Sequence, residues 1–247
     1  MKSLTVPFHA VIQDGASTDR TLEIAQELVG DDDRFQIVSE PDVGQADALN
    51  RAWQRLAPDH PYLTWINADD VLHPHGFSQA LELAEQRPDT SGVYGAFLII
   101  DEDGHVIEFI RRPPRLRRID LLYVDSLVPG IAAICRTSAV QDAGMFDTNL
   151  RYALDHDLFI RLSRFGSLRG VPQPTFSFRQ HAGSKTTGVE ADRSRAEAQE
   201  VSQAHRRLSG VAADGLRALL RARYRAMKTV GAWMPNERFG DQQAHTQ

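Results

Sequence analysis

The stretch FHAVIQDGASTDRTLEIAQELV at residues 8–29 decides the fold, because it runs from a short apolar strand through a polar turn into a helix. The strand is predicted to stop at Asp14, and Ser17 or Thr18 can cap the helix that follows. The apolar residues of that helix recur at helical spacing and give it one face to bury. A strand followed at once by an amphipathic helix is a building unit of α/β proteins.

The same unit is repeated downstream. A strand at 35–38 precedes a helix at 44–56, and a further strand follows at 62–66. This alternation predicts a mostly parallel sheet covered by helices, with ligands bound beyond the carboxyl ends of the strands. The later elements predicted are a helix at 74–86, strands at 92–101 and 106–110, helices at 137–143 and 155–165, and extended chain at 172–179.

Composition narrows the class of protein. A chain of 247 residues with 42% hydrophobic side chains can bury one main core and a small appendage. Its formal net charge of -5 gives no general attraction to a polyanion, so no nucleic acid partner is expected. The N-terminus has no signal-peptide pattern, and no run approaches the roughly 20 apolar residues that span a bilayer. We therefore expect a cytoplasmic protein.

The first candidate site is the turn that begins at Asp14. A short carboxylate between a strand and a helix N-terminus can accept hydrogen bonds from a base or a ribose. Gly15 next to it permits a close approach of the backbone. A plain capped turn explains the same residues equally well.

The second candidate site is Asn67-Ala68-Asp69-Asp70, which follows an apolar strand. Adjacent carboxylates repel each other unless water or a cation neutralises them. Mg²⁺ and Mn²⁺ prefer oxygen ligands and bind one or two carboxylates together with substrate phosphate. A helix start before Pro74 is the alternative interpretation.

Three later segments carry further polar groups. Asp155 and Asp157 lie near a predicted helix start, where a carboxylate either takes a proton from a sugar hydroxyl or caps the helix. His181 and Lys185 share a glycine-containing loop whose side chains suit a diphosphate and its metal, although a lone histidine is more often structural. The arginine-rich segment 111–118 is either an exposed loop or a site for phosphate or acceptor.

Together these segments resemble the family 2 glycosyltransferases of the GT-A fold, particularly the bacterial members. The family pattern Asp-Gly-Gly-Ser-Thr-Asp-Gly-Thr is matched at 14–21, and Ser-Glu-Pro-Asp-x-Gly-Gln-x-Asp-Ala-hydrophobic-Asn at 39–50. Residues 67–70 correspond to the Asp-x-Asp metal motif in a variant that begins with Asn. Residues 152–162 resemble the segment of the catalytic base, and 181–186 the loop that closes over the diphosphate.

The resemblance implies a Rossmann-like mixed sheet flanked by helices at 1–190, followed by a helical, arginine-rich extension at 191–247. It implies transfer of a sugar, with inversion, from a nucleoside-diphosphate sugar such as a UDP-sugar to a hydroxyl of a glycan or lipid-linked acceptor. A divalent metal ion, Mn²⁺ or Mg²⁺, is expected to assist. The apolar residues among the arginines of the extension suit either peripheral membrane association or packing on the domain.

The resemblance also assigns roles to individual residues. The expected catalytic base is Asp155. The residues expected to bind the nucleotide sugar, or to hold the loop that does so, are Asp14, Gln45, Asp47, Asn67, Asp69 and Lys185. The residues expected to bind the metal ion are Asp69, Asp70 and His181.

The chain departs from the family pattern in three places, one of which is Leu154, where an acid often precedes the base. It has residues 1–7 where the family has a first strand and helix, so we expect an N-terminally truncated fold whose central strand lacks a neighbour. Gly130 stands where related chains often carry a polar residue. These departures leave open a relative that binds nucleotide sugar, glycan or a partner subunit without turnover. A nucleotidyltransferase is disfavoured because no glycine-rich nucleotide loop with a basic residue occurs near the start.

Overall fold

A computed structural model describes residues 3–124, 128, 130–181, 188–206 and 210–231, without the side chains of 188–189 and 227–231. In chain order the elements are β1 (Ala10–Asp14), α1 (Thr21–Val29), β2 (Phe35–Ser39), α2 (Gln45–Leu56), β3 (Tyr62–Leu63), β4 (Val71–Leu72), α3 (Pro74–Gln86), β5 (Thr90–Ile100), β6 (Val106–Ile110), β7 (Arg115–Leu116), α4 (Arg118–Tyr123), β8 (Ile134–Arg136), α5 (Thr137–Ala143), α6 (Leu154–Leu162), β9 (Ser167–Arg179), α7 (Gly188–His205) and α8 (Gly210–Gly231).

The strands form two sheets. β1 and β2 pair in parallel, and within the described residues the other edge of β1 carries no strand. The second sheet has the order β3-β8-β5-β9-β4, with β6 beside β5 and β7 beside β9. The mixed sheet implied by the resemblance is confirmed.

The mostly parallel sheet predicted from the strand–helix alternation is wrong. In the larger sheet β5 and β9 are parallel, whereas the other described ladders are antiparallel. The alternation ends at β3, and β6 returns from β5 through the short turn at 101–105. A short turn can only reverse the direction of the chain, so the added strand is antiparallel.

Local sequence explains where some elements begin and end. The predicted cap of α1 by Ser17 or Thr18 is wrong, because α1 begins at Thr21 and the Ser17 hydroxyl donates to Asp14 instead. α3 starts at Pro74, which lacks only an N–H that would be unpaired in the first helical turn. α2 buries Ala52 and Trp53 on the face that the spacing predicted. The predicted strand 62–66 is shorter, because the Trp65 carbonyl accepts instead from Ala132 N–H at 2.8 Å. Leu28, predicted on the buried face of α1, is exposed.

The C-terminal helices share one hydrophobic core with α4 and α6. Val201 of α7 and Leu220 of α8 are buried in the same cluster as Leu121 and Leu158. Leu219, by contrast, is 68% exposed. Among the residues that the structure describes, no helix combines the length and apolar character needed to cross a membrane. The predicted boundary at residue 190 stays a prediction.

Candidate active site

Asp14 closes the turn at the end of β1. Its buried carboxylate accepts hydrogen bonds from the Ser17 N–H at 2.9 Å, the Ser39 hydroxyl at 2.7 Å and the Ser17 hydroxyl. These hydroxyls, Ser17 first, hold the pKa of the Asp14 carboxyl below its ordinary value. Asp14 therefore joins β1 to β2, and its contact with a base or ribose stays a prediction.

The turn after Asp14 is tight at two positions. A Cβ on Gly15 would lie 2.7 Å from Asp42 Oδ2, and Ala16 has a φ of 65°, in the left-handed region that favours glycine. The family pattern has glycine at both positions. Ala16 thus adopts a left-handed conformation at a position where the family pattern has glycine.

A line of hydrogen bonds joins two residues predicted to bind the nucleotide sugar, Gln45 and Asn67, to the predicted metal ligand Asp70. The Gln45 side-chain amide donates to Asn67 Oδ1 at 3.0 Å. The Asn67 amide donates to Asp70 Oδ2 at 2.8 Å, and Arg179 N–H donates to the other Asp70 oxygen at 3.0 Å. The line connects the start of α2, the segment between β3 and β4, and the end of β9. Burial raises the pKa of Asp70 to about 6, against the effect of the Arg179 and Asn67 hydrogen bonds.

Asp69 meets His181. The distance between Asp69 Oδ2 and His181 Nε2 is 3.1 Å, and both side chains are partly exposed. A carboxylate oxygen and an imidazole nitrogen can both bind a divalent ion, so this pair fits one. The oxygens of Asp70, the third predicted ligand, accept from Asn67 and from Arg179 N–H, and the described residues do not bring Asp69, Asp70 and His181 together within 4.8 Å. The ion and its identity stay a prediction.

A second acidic group lies in the turn between β5 and β6. Asp101, Asp103 and His105 offer ligand atoms within 4.8 Å of one another. However, the Asp101 carboxylate accepts the N–H groups of Asp103 at 3.0 Å and His105 at 2.8 Å, which is the bonding of a closed turn. Arg179 connects this turn to Asp69, because its guanidinium donates to the carbonyl oxygens of Asp101 and Asp69, each at 3.0 Å. The turn thus supports the Asp69 segment.

The remaining two donor-site predictions have different outcomes. Asp47 accepts from Val43 N–H at 3.2 Å and pairs with Arg51 at 2.8 Å, so its carboxylate holds the loop before α2. The Arg51 hydrogen bond lowers the pKa of Asp47. Lys185 lies outside the described residues.

Asp155 lies in the first turn of α6. Its carboxylate accepts from Gly130 N–H at 3.1 Å and from His156 N–H at 2.7 Å. Burial raises the pKa of Asp155, while the two N–H groups and the Arg112 guanidinium act to lower it. A raised carboxyl pKa brings the group closer to the working range of a general base at neutral pH.

Gly130 allows Asp155 and the Trp65 ring to lie close together. A Cβ at position 130 would lie 2.3 Å from the Trp65 ring and 2.5 Å from Asp155 Cβ. Trp65 precedes Asn67 by two residues, so Gly130 lies between the predicted base and the side chain of the residue that leads into Asn67–Asp70. The glycine found in place of a polar residue is therefore the residue that permits this approach.

Sequence reasoning missed Arg112, which it left inside a possible exposed loop. The guanidinium carbon of Arg112 lies 5.1 Å from the centroid of the Phe97 ring, and its buried Nε has no hydrogen-bond partner among the described residues. Burial lowers the pKa of Arg112 to about 10, while Tyr94 and Asp155 act to raise it. The signal in the sequence was the run of arginines at 111–118.

A model described as Glycosyl transferase family 2 matches residues 5–147, more than half of the chain. An uncharacterized glycosyltransferase of Rickettsia prowazekii is 24% identical over 182 residues, covering 71% of this chain and 55% of that protein. Chondroitin synthase of Pasteurella multocida is 25% identical over 169 residues, covering 68% of this chain and 17% of that protein. The chain thus spans less than two thirds of the length of either relative.

Solved structures with the same fold include TarS 1-349 of S. aureus, with a TM-score of 0.59 and 15% identity. That match covers 97% of this chain and 69% of the TarS chain. The mannosyltransferase PcManGT of Pyrobaculum calidifontis, in complex with GDP-Man and Mn²⁺, has a TM-score of 0.54 and 16% identity over 93% of this chain and 77% of its own. These likenesses confirm the GT-A fold.

Proposed function

The chain belongs to glycosyl transferase family 2, and on this premise we propose that it transfers a sugar from a nucleoside-diphosphate sugar, with a UDP-sugar as the expected donor, to a hydroxyl of a glycan or lipid-linked acceptor. The observation that carries the proposal is the close approach at Gly130, whose N–H donates to the partly buried Asp155 carboxylate and which lies against the ring of Trp65, two residues before Asn67.

In the proposed reaction, Asp155 takes the proton of the acceptor hydroxyl. The hydroxyl oxygen attacks the anomeric carbon of the donor sugar as the bond to the diphosphate oxygen breaks. Attack opposite the leaving group inverts the configuration at that carbon. General-base assistance of this kind contributes about 10²–10⁴-fold to a rate.

The proposed donor site holds the diphosphate through Asp69, Asp70 and His181 with a divalent ion, Mn²⁺ or Mg²⁺. When bound, such an ion supplies positive charge that stabilises the leaving diphosphate. The 3.1 Å approach of Asp69 to His181 supports this assignment, as does the presence of Mn²⁺ in the PcManGT complex. Gln45 and Asn67 keep Asp70 oriented, and Asp14 and Lys185 complete the proposed donor contacts.

The alternative of a relative that binds nucleotide sugar without turning it over has no support in the comparisons. Several of the matched proteins are named as glycosyltransferases or synthases. We keep turnover as the proposal.

The proposed location is the cytoplasm, at the inner face of the membrane that carries lipid-linked acceptors. Exposed Leu219 beside the arginines of α8 supports peripheral association, whereas the burial of Leu220 shows that part of the apolar stripe packs on the domain. Co-sedimentation with anionic vesicles that is reduced by Leu219→Glu, at the exposed position of α8, would support the membrane location. Unchanged co-sedimentation would contradict it.

The donor site is tested with UDP or GDP in the presence of Mn²⁺. We expect the nucleotide to raise the melting temperature, because a ligand that binds the folded state stabilises it by mass action. Asp69→Ala should abolish this shift, whereas Asp103→Ala in the neighbouring turn should retain it. Release of nucleoside diphosphate from UDP-glucose, UDP-N-acetylglucosamine, UDP-glucuronate and GDP-mannose measures turnover. No shift and no release with any of these donors would overturn the proposal.

A further inference from the structure

Helix α7 contacts the segment that leads into the proposed base. The Glu197 carboxylate accepts three backbone hydrogen bonds, from Arg151 N–H at 3.1 Å and from Tyr152 and Ala153 N–H at 2.6 Å each. These residues precede α6, whose second residue is Asp155. The Ala153 side chain provides no cap of its own. Glu197 therefore binds the N–H of the N-cap residue Ala153 and those of the two residues that precede it.

Two further contacts join α7 to the same helix. Ser202 Oγ lies 2.9 Å from Nε2 of the buried His156. His205 Nε2 lies 2.9 Å from Asp157 Oδ1, and the other Asp157 oxygen pairs with Arg161 at 2.6 Å. His156 and Asp157 of α6 are thus held by Ser202 and His205 of α7, which lie within about two turns beyond Glu197.

Physical chemistry favours a carboxylate at this place. The N–H groups at a helix start have no partner within the helix, and the helix dipole attracts negative charge there. A bond to a charged acceptor is stronger than one between neutral groups. Loss of this acceptor would free the lead-in of α6 and so the backbone that orients Asp155.

We propose that Glu197 is a positioning residue, which fixes the start of α6 and thereby holds the Asp155 carboxylate in place for proton transfer. This inference rests on the proposed function of Asp155 as the base. Glu197 has none of its described contacts with Asp69, Asp70 or His181, so its effect falls on the chemical step and not on donor binding.

The test compares Glu197→Ala with Glu200→Ala, an exposed glutamate one turn further along α7. Because a misplacement of about 1 Å can cost on the order of 10²-fold, we expect Glu197→Ala to lower the release of nucleoside diphosphate by about that factor. The melting shift with UDP and Mn²⁺ should be unchanged. Glu200→Ala should match the wild type in both measurements.

Two readouts separate positioning from general destabilisation. Glu197→Gln keeps one oxygen that can accept from Tyr152 and Ala153 but turns an amide toward Arg151 N–H, so we expect a loss of less than about tenfold. Loosening of Asp155 toward water lowers its raised pKa, so the acid limb of the pH–rate profile should move to lower pH in Glu197→Ala. Should the alanine variant unfold, a measurable loss of rate in Glu197→Gln with an intact melting shift supports the inference, and a wild-type rate in Glu197→Gln contradicts it.

The outcomes distinguish this inference from the proposed function. If Asp155→Asn is inactive while Glu197→Ala keeps wild-type rates and an unchanged acid limb, the positioning role is wrong and the base assignment stands. If the wild type releases no nucleoside diphosphate from the donors named above, the proposed function fails instead. A tenfold or larger loss confined to Glu197→Ala, with an intact melting shift, supports the inference.

Discussion

At the scale of single residues, Asp155 is a carboxylate whose protonation is coupled to folding. Burial raises its pKa in the folded protein above the value of about 3.9 for an exposed aspartate. Its protonated form is therefore favoured by folding. The resulting contribution to stability is complete below the unfolded pKa and is lost as pH rises through the folded pKa.

We therefore expect the stability of the wild type relative to Asp155→Asn to fall between about pH 4 and neutral pH. The measurement is the difference in melting temperature between the two proteins across that range. Asp103→Asn, in the exposed turn, controls for the general effect of removing a carboxylate. A difference that rises with pH would contradict the raised pKa of Asp155.

Arg112 provides a second prediction at this scale. Its guanidinium lowers the pKa of Asp155, so Arg112→Gln should raise that pKa and move the acid limb of the pH–rate profile to higher pH. The profile of nucleoside diphosphate release is the measurement. Arg111→Gln, at the exposed neighbouring position, is the matched control and should leave the limb in place. An unmoved limb in Arg112→Gln would show that its charge does not act on the base.

Single residues also show what the sequence could predict. The turn after Asp14, the segment of Gln45 and the segment 67–70 each lie within a contiguous motif, and the resemblance assigned all three to one donor site. The structure joins Gln45 to Asn67, and the donor site as a whole stays a prediction. The hydrogen bonds to Asp14 from Ser17 and Ser39 follow from neighbouring strand ends. Their effect, which is to occupy much of the carboxylate, required coordinates.

At the scale of elements, Gly130 controls the distance between α6 and the end of the predicted third strand. Gly130→Ala should cost about 1–3 kcal/mol, because its Cβ would overlap the Trp65 ring and Asp155 Cβ. The matched control is Gly215→Ala in α8, where a Cβ meets nothing within 4 Å and alanine should stabilise by about 0.5–1 kcal/mol. Chemical denaturation of both variants measures the two free energies of unfolding. Equal effects would contradict the close approach at Gly130.

Helices and strands were predicted correctly where apolar periodicity, or a residue such as proline that begins or ends a helix, lies within the element itself. The helix at 137–143 is found as α5, and the proline at 74 begins α3. The short strands β4, β7 and β8 were missed, because two or three residues carry no periodicity. β4 and β7 acquire strand geometry by pairing with β9, and β8 by pairing with β3 and β5. α4 was not predicted, because Pro113 and Pro114 indicate a loop and the helix begins at Arg118, where that predicted loop ends.

At the scale of the whole molecule, α8 belongs to the same hydrophobic core as α4 and α6. Leu220→Ala should cost about 2–4 kcal/mol, because it removes buried methyl groups and leaves a cavity. Leu219→Ala, at the adjacent exposed position, should change stability by less than about 0.5 kcal/mol. Thermal unfolding of both variants is the measurement. A neutral Leu220→Ala would mean that α8 does not dock on the domain.

Contacts between residues that are far apart in the chain could not be predicted from the sequence. The contacts of Glu197 with 151–153 and of Gly130 with Trp65 join residues that are far apart in the chain. Patterns in one sequence report which side chains are apolar or ionisable, but not which distant partner each will meet. The sequence therefore could not decide whether the arginine-rich extension binds a membrane or packs on the domain. In the structure Leu219 is exposed and Leu220 is buried.

The hydrogen bonds from Gln45 through Asn67 to Asp70 all run in one direction. Both oxygens of the Asp70 carboxylate accept hydrogen bonds, one of them from the Arg179 N–H. The Asn67 amide must therefore turn its nitrogen toward Asp70 and its oxygen toward Gln45. An aspartate at position 67 would have the same shape but no donor. The segment thus has a polarity as well as a geometry, and the asparagine that begins its motif is the side chain that matches both.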